Sequence, residues 1–167
     1  MMSSRDVLAV MDAVAGAGCK GWLDGGWAVD AILGEQTRDH DDLDLVVELG
    51  AVDSIGRALA HLGYWLTEDE RPIRVVLASD DGRSVDVHTV VFDEGGGGVQ
   101  SQPGGGSFRY PPEGFLAVGT IEGKEYPCLS SEVQLLCHMG YEPDEIDRRD
   151  MALLAERSGL KLPQAYR

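Results

Sequence analysis

The chain is poor in basic residues compared with its acidic ones. Of its 167 residues only 14 are Lys or Arg, against 29 Asp or Glu, which gives a formal net charge of −15 at pH 7. Proteins bind nucleic acid by neutralising its phosphates with Lys and Arg, so this balance argues against nucleic acid as a partner. The same acidity suits a cationic small substrate, and it equally suits a protein kept soluble by its charge.

Cysteines and long apolar runs are also scarce. The three cysteines, Cys19, Cys128 and Cys137, form no CxxC pair, so neither a disulfide framework nor a zinc site is expected. No apolar run approaches the roughly 18 residues of a membrane helix. Because the first ten residues also lack the order of a signal peptide, we expect a cytoplasmic protein with no membrane segment.

The pattern of apolar residues and turn signals predicts an α+β fold, a mixed sheet with flanking helices. We expect residues 1–128 to form the core and residues 129–167 a short C-terminal helical region of the same compact unit. Helices are predicted over 4–17, 27–33, 53–62, 131–138 with Ser131 near its cap, and from Pro143 to Gly159. Strands are predicted over 20–24, 42–48, 64–67, 73–79, 84–92, 115–121 and 124–127. Residues 95–106 hold seven glycines, which predicts a mobile loop but no P-loop, since no Gly-Lys-Ser/Thr follows.

Asp42 and Asp44 lie 16 and 18 residues beyond the pair Gly25 and Gly26. Side chains alternate along a strand, so the two carboxylates should point to the same face. Two like charges this close need a neutraliser, and Mg²⁺, held by carboxylates and substrate phosphates, supplies one. Glycines allow a backbone to approach a phosphate closely. The combination suggests nucleotidyl transfer, although each feature alone also fits an ordinary surface strand or turn.

Asp86 is the candidate for a third carboxylate. It lies in the strand-like run Val85-Asp86-Val87-His88, where Asp86 and His88 share one face. Acidic residues are disfavoured inside strands, which favours a functional reason for Asp86. We expect it to bind the metal, to take the proton from the attacking hydroxyl, or to do both in turn. His88 is expected near the site as a hydrogen-bonding partner more than as a metal ligand.

Two stretches, Trp22–Asp30 and Thr37–Leu45, resemble the small antibiotic nucleotidyltransferases of the DNA polymerase beta superfamily. The likeness is strongest to lincosamide nucleotidyltransferases and next to aminoglycoside 2″-adenylyltransferases. It continues through Val85–His88 and the tail from Cys137 to Tyr141, and so covers most of the chain. The resemblance implies a nucleotidyltransferase fold and Mg²⁺ bound by the Asp pair. It also implies transfer of a nucleoside monophosphate, usually AMP from ATP, to an antibiotic hydroxyl with release of pyrophosphate.

The resemblance also assigns roles to individual residues. Gly25 and Gly26 match the phosphate-side glycines, Asp42 and Asp44 the metal ligands, and Asp86 the third carboxylate. Further candidates, for which surface or core roles stay open, are Arg38 and Arg74 for the triphosphate and His88, Tyr141, Asp147 and Asp150 for the substrate.

Several functional alternatives stay open at this point. The motifs favour a lincosamide acceptor, whereas the net charge of −15 favours a polycationic aminoglycoside. A regulatory or antitoxin-type nucleotidyltransferase that modifies a protein would share the same core. A catalytically silent nucleotide-binding module is disfavoured because all three carboxylates are present. A homodimer that completes the acceptor pocket is implied by the resemblance alone.

Overall fold

The computed structural model describes residues 1–139 and 141–166, and it consists of one mixed sheet with helices packed on it. The helices are α1 Ser4–Gly16, α2 Gly25–Leu33, α3 Val52–Ala60, α4 Ser131–Cys137 and α5 Glu145–Ser158. The strands are β1 Gly21–Asp24, β2 Asp42–Glu48, β3 Trp65–Glu70, β4 Arg74–Ala78, β5 Ser84–Phe92, β6 Gly98–Ser101, β7 Ser107–Tyr110, β8 Ala117–Ile121 and β9 Lys124–Cys128. None of the helices in the described ranges has the length and apolar character needed to cross a bilayer.

The main sheet has the strand order β3-β4-β5-β2-β1-β9-β8. Strand β2 runs parallel to β5 and antiparallel to β1, and β1 runs parallel to β9. The remaining pairs are antiparallel, including the hairpin β6–β7, which extends from the end of β5. The structure confirms the predicted mixed sheet with flanking helices.

Strand β2 shows how the sequence places the site. Leu43, Leu45 and Val47 are buried in the main core, which includes apolar residues of α1 and α3. Fully burying such a side chain contributes about 1.5–3 kcal/mol, so this apolar face fixes the register of the strand. Asp42 and Asp44 consequently point to the opposite face, as the alternation predicts.

The last two helices differ slightly from the prediction: α4 is capped one residue earlier, and α5 begins at Glu145, two residues after Pro143. The N-cap of α4 is Ser130, whose Oγ accepts a hydrogen bond from the Val133 amide, and not Ser131. The hydroxyl of Ser131 instead lies 2.8 Å from that of Ser158. Helix α5 is capped by Asp144, with Asp147 completing a capping box, so Pro143 precedes the cap.

The prediction of a loop over residues 95–106 was wrong in part, because β6 lies inside that segment. Three consecutive glycines at 104–106, with φ of 79°, 93° and 98°, form the turn that leads into β7. Gly98 lies under Phe115, and a Cβ there would come within 2.8 Å of the ring. Glycine in this segment therefore serves a tight turn and close packing of a hairpin.

Candidate active site

Three carboxylates form a row across neighbouring strands. Asp24 at the end of β1 pairs in register with Asp44 of β2, and Asp44 pairs with Asp86 of β5. Paired residues project from the same face, and adjacent strands are about 4.8 Å apart, so the three side chains converge. The structure thus brings Asp44 and Asp86 together as predicted, with Asp42 two residues before Asp44 on the same strand.

Asp24 is a site residue that the sequence analysis missed. It is buried, and its carboxylate accepts a hydrogen bond of 2.9 Å from Nε2 of Gln134, which is also buried. Burial raises the pKa of Asp24, against the opposing charge of His88. Its place directly before the glycine pair was the available signal.

The donor set fits a divalent cation. Ligand atoms of Asp44, Asp86 and His88 lie within 4.8 Å of one another. Oδ2 of Asp86 is 2.6 Å from Nη1 of Arg74. Its Oδ1 is buried without a hydrogen-bond partner among the described residues. A buried, unpaired carboxylate oxygen is costly unless a cation meets it.

The charges around Asp42 also favour a bound divalent cation. Asp42 is the first residue of β2, and its side chain is only partly withdrawn from solvent. Desolvation of its carboxylate raises its pKa, and the charges of Asp44 and Asp86 raise it further. Asp42, Asp44 and Asp86 are therefore like charges whose repulsion a bound divalent cation would relieve.

Each glycine of the pair leaves room for a polar side chain. Gly25 has φ +57°, and a Cβ at this residue would collide with Oδ2 of Asp44. A Cβ at Gly26 would collide with the ring of His40 and with Nη2 of Arg38. Both residues belong to the first turn of α2, where backbone N–H groups lack partners within the helix.

Arg38 is bound to helix α5 in this structure. Its Nη2 lies 2.9 Å and its Nε 3.2 Å from Oδ2 of Asp150, whose side chain is buried. Arg149 donates from Nη2 to the Thr37 carbonyl at 2.7 Å. The C-terminal region thereby anchors the segment that leads into β2, and Asp150 is committed to an ion pair inside the protein.

A buried cluster on α2 anchors the same segment from the other side. Asp30 Oδ1 accepts hydrogen bonds from the amide and the hydroxyl of Thr37, at 3.0 and 2.7 Å. Its Oδ2 lies 2.5 Å from Nε2 of His40. The backbone before Asp42 is therefore held on both flanks.

Arg74 lies beside the acidic row with three carboxylate partners. Besides Asp86, its guanidinium contacts Glu68 at 2.5 Å and Glu70 at 3.0 Å. The hydrogen bond with Glu70 and the charge of Asp86 raise its pKa. Arg74 is thus a fixed cation at the edge of the site.

A cavity of about 560 Å³ opens beside Asp24 and Asp44 of the acidic row, and Asp42 and Asp86 are not among its lining residues. Its floor comes from the sheet, one wall from the hairpin β6–β7, and another from the end of α4 and the residues after it. The lining residues are Asp24, Gly25, Asp44, Ile73, Arg74, His88, Gln100, Gln102, Pro103, Phe108, Tyr110, Cys137, His138, Met139 and Tyr141. The sequence analysis predicted a loop in this segment and did not predict its two strands, because the glycines obscured them.

The four predicted substrate residues divide into two groups. His88 and Tyr141 line the cavity, and Tyr141 is half exposed. Asp147 and Asp150 are not among the lining residues. Asp147 completes the capping box of α5, and its Oδ1 lies 3.5 Å from Nε2 of His138. Gly140, inside the tail motif, lies outside the described residues.

His88 connects the acidic row to the hairpin. Burial lowers the pKa of His88, but the interaction with Asp44 and the charges of Asp24 and Asp86 outweigh it and bring the value to about 9. A divalent cation beside Asp44 and Asp86 would offset these same charges. On its other side, Nδ1 of His88 lies 3.3 Å from Nε2 of Gln100.

Comparisons of the sequence agree with this geometry. The profile of a family described as aminoglycoside-2″-adenylyltransferase matches residues 6–154. A lincosamide resistance protein of Staphylococcus haemolyticus is 28% identical over 150 residues, which cover 90% of this chain and 92% of that protein. A 2″-aminoglycoside nucleotidyltransferase of Klebsiella pneumoniae is 67% identical over 48 residues, 29% of this chain and 27% of that protein.

Solved structures show the same fold. The lincosamide antibiotic adenylyltransferase LnuA, lincomycin-bound, is 27% identical with a TM-score of 0.81, covering 93% of this chain and 98% of that one. ANT(2″)-Ia in complex with adenylyl-2″-tobramycin is 20% identical with a TM-score of 0.71, covering 93% and 89%. The second likeness concerns the fold alone.

Proposed function

The chain belongs to the aminoglycoside-2″-adenylyltransferase family and is a nucleotidyltransferase, and from this premise we propose its donor, metal and acceptor. The donor is ATP, and the metal is Mg²⁺. The acceptor is a hydroxyl of a lincosamide, which receives AMP while pyrophosphate leaves.

The residues that line the cavity are the main reason for proposing a lincosamide as the acceptor. Besides its polar residues, the cavity lining contains the apolar and aromatic side chains Ile73, Pro103, Phe108, Met139 and Tyr141. A polycationic aminoglycoside needs several free carboxylates away from the metal, but Asp147 and Asp150 are held by partners within the protein. A lincosamide, with one amine and several apolar groups, matches this wall better. The overall likeness to a lincomycin-bound enzyme supports the same choice.

Asp42, Asp44 and Asp86 would hold the magnesium ion. When bound, the ion neutralises charge on the triphosphate and the leaving group. Asp86 has one carboxylate oxygen held by Arg74, and the other is buried with no hydrogen-bond partner in the described part of the chain. We propose that Asp86 also accepts the proton of the attacking hydroxyl.

The other candidate residues have proposed roles in binding the nucleotide or the acceptor, or in anchoring the site. Gly25 and Gly26 offer the N-terminal amides of α2 to a phosphate. Arg74 lies in the cavity wall and offsets triphosphate charge, while Arg38 acts by anchoring the segment before β2. Tyr141 stacks on the substrate.

The family match and the charge of −15 give the aminoglycoside acceptor a specific basis as the second candidate. To distinguish the two acceptors, the protein is incubated with ATP and Mg²⁺ and with either lincomycin or tobramycin. The mass of each drug is then measured by mass spectrometry. We expect lincomycin to gain one AMP. If only tobramycin gained AMP, the acceptor would be an aminoglycoside. If only a protein gained AMP, the result would favour a regulatory nucleotidyltransferase that modifies proteins.

Three sequence-based expectations stay predictions. They are the division at residue 128, a cytoplasmic location and a homodimer.

A further inference from the structure

The hairpin β6–β7 forms one wall of the cavity, and β5 sets its position relative to the acidic row. Strand β6 pairs with the last two residues of β5. Nε2 of Gln100, on β6, lies 3.3 Å from the carbonyl oxygen of Ile73, just before β4, and 3.3 Å from Nδ1 of His88. His88 follows Asp86 by two residues on β5, so the two side chains share one face of the sheet. The hairpin therefore lies at the β4–β5 side of the acidic row, where Asp86 is.

The other end of the row leads into helix α2. Asp24 ends β1, and Gly25 begins α2 directly after it. In the proposed reaction the first amides of α2 receive a phosphate, and Asp86 accepts the proton of the attacking hydroxyl. The attacking and leaving oxygens lie roughly in line across the reacting phosphorus, so the acceptor and the pyrophosphate are on opposite sides of it. The acceptor consequently approaches from the side of Asp86, which is the side of the hairpin.

Strand β7 presents aromatic rings to the cavity. Phe108 and Tyr110 are two residues apart on this strand, so they project from the same face, and both line the cavity. Their ring centroids are 4.7 Å apart with an interplanar angle of 77°, an edge-to-face contact. Tyr110 is only 4% exposed, whereas Phe108 is half-buried. Phe108 is thus the ring of β7 that a bound molecule can contact.

The polar atoms beside these rings already have partners within the protein. The hydroxyl of Tyr110 donates to Oε1 of Gln100 at 2.7 Å. The Gln100 side chain is itself buried, and its amide nitrogen donates to the carbonyl of Ile73. The ring of Phe108 has no polar atom, so this part of the wall favours an apolar group of a ligand over a charged one. The same hydrogen bonds fix the Tyr110 ring against which Phe108 packs, so the wall is formed before a ligand binds.

We propose that the hairpin β6–β7 is the acceptor-binding wall of the cavity and that Phe108 is a specificity-determining residue in it. The ring of Phe108 contacts an apolar group of the drug while the reacting hydroxyl faces Asp86. The inference rests on the proposed function, because the direction of approach follows from the proposed phosphate and proton sites. It adds which wall holds the acceptor and which residue favours a lincosamide over a polycation.

Steady-state kinetics of Phe108→Ala test this contact, with lincomycin and ATP each varied while the other is saturating. We expect the KM for lincomycin to rise by roughly 10–100-fold, the effect of losing one buried aromatic contact. The turnover number kcat and the KM for ATP should change little, because the contact is the same in the ground state and the transition state. An unchanged KM for lincomycin in the folded variant, or an equal rise in the KM for ATP, would overturn the proposal.

Two further variants of β7 are the controls. Arg109→Ala changes the next residue of the strand, which is exposed, pairs with Asp93 at 2.8 Å and is not among the lining residues. Its KM for lincomycin should match wild type, and a rise as large as that of Phe108→Ala would assign the effect to the hairpin as a whole and overturn the role of the ring. Phe108→Leu keeps an apolar side chain, so its KM should rise less than that of Phe108→Ala. Equal rises in these two variants would overturn the apolar contact.

The same measurements distinguish failure of this inference from failure of the proposed acceptor. Transfer of AMP to lincomycin with an unchanged KM in folded Phe108→Ala would overturn the inference alone. If wild type modified only tobramycin, the lincosamide proposal would fail, while a rise in the KM for tobramycin in Phe108→Ala would still support the hairpin as the acceptor-binding wall. Transfer to neither drug would overturn both.

Discussion

The α-carbon of Gly25 faces the carboxylate of Asp44 so closely that any side chain at residue 25 would collide with Oδ2 of Asp44. Glycine at this first residue of α2 therefore serves the metal ligand as well as the backbone conformation. Its φ of +57° adds a second reason for glycine, because other residues adopt this conformation at a cost.

Gly25→Ala should displace Asp44 and lower activity by roughly 100-fold, since small misplacements of reacting groups are this costly. The backbone strain should also destabilise the protein by about 1–3 kcal/mol. Activity assays and urea unfolding measure the two effects separately.

Gly34→Ala is the control for backbone strain. Gly34 has φ +80° and nothing within 4 Å of the position where a Cβ would lie. This variant should lose stability but keep most of its activity. Equal loss of activity in both variants would contradict the contact between residue 25 and Asp44.

Asp150→Ala should destabilise the protein by roughly 1–3 kcal/mol, because it leaves the Arg38 guanidinium without its charged partner. Urea unfolding measures this. Glu142→Ala removes the exposed partner of Arg148, at 2.9 Å, and should change stability by less than about 0.5 kcal/mol. If the two losses were equal, the buried pair would not anchor the segment before β2.

Asp42→Asn should raise the melting temperature of the metal-free protein. The folded pKa of Asp42 lies above its usual 3.8, so at pH 7 the ionised side chain costs stability that asparagine restores. The same change should reduce the rise in melting temperature that Mg²⁺ produces in wild type. Calorimetry with and without Mg²⁺ checks both.

Asp41→Asn provides the matched control, since it removes the same charge from an exposed neighbour. It should leave the Mg²⁺-induced rise in melting temperature intact. If Mg²⁺ raised the melting temperature of Asp42→Asn as much as that of wild type, Asp42 would not be a metal ligand.

The pH dependence of stability tests Asp6 of the α1 capping box. Burial opposes the ionised form, but hydrogen bonds from Ser3 and from Arg83 outweigh it and lower the pKa of Asp6 below 3.8. A lowered pKa means that the stabilisation is present above the unfolded value and is lost as the pH falls through the folded one. The stability difference between wild type and Asp6→Asn should therefore be constant above about pH 5 and shrink below 3.8. A difference that grows on acidification would contradict this account.

The sequence predicted the parts of the site that depend on local pattern. Alternation along β2 placed Asp42 and Asp44 on one face, and the Asp86 strand followed from the same rule. Asp24 was missed because its pairing with Asp44 depends on the register between two strands. Arg38 and Asp150 lie 112 residues apart, and no local signal joins them.

The hairpin shows a different limit. A run rich in glycine has the composition of a loop, but pairing with β7 and β5 and packing against Phe115 make residues 98–101 a strand. The hydrogen bond from Gln100 to the carbonyl of Ile73, in the turn before β4, likewise joins segments that no local pattern connects.

The most direct measurement of the central claim is AMP transfer to lincomycin, followed by mass spectrometry, for wild type and two single variants. We predict that wild type and Asp41→Asn add one AMP to the drug and that Asp44→Asn, folded by circular dichroism, adds none. Transfer by folded Asp44→Asn, or no transfer to lincomycin by wild type, would contradict the account.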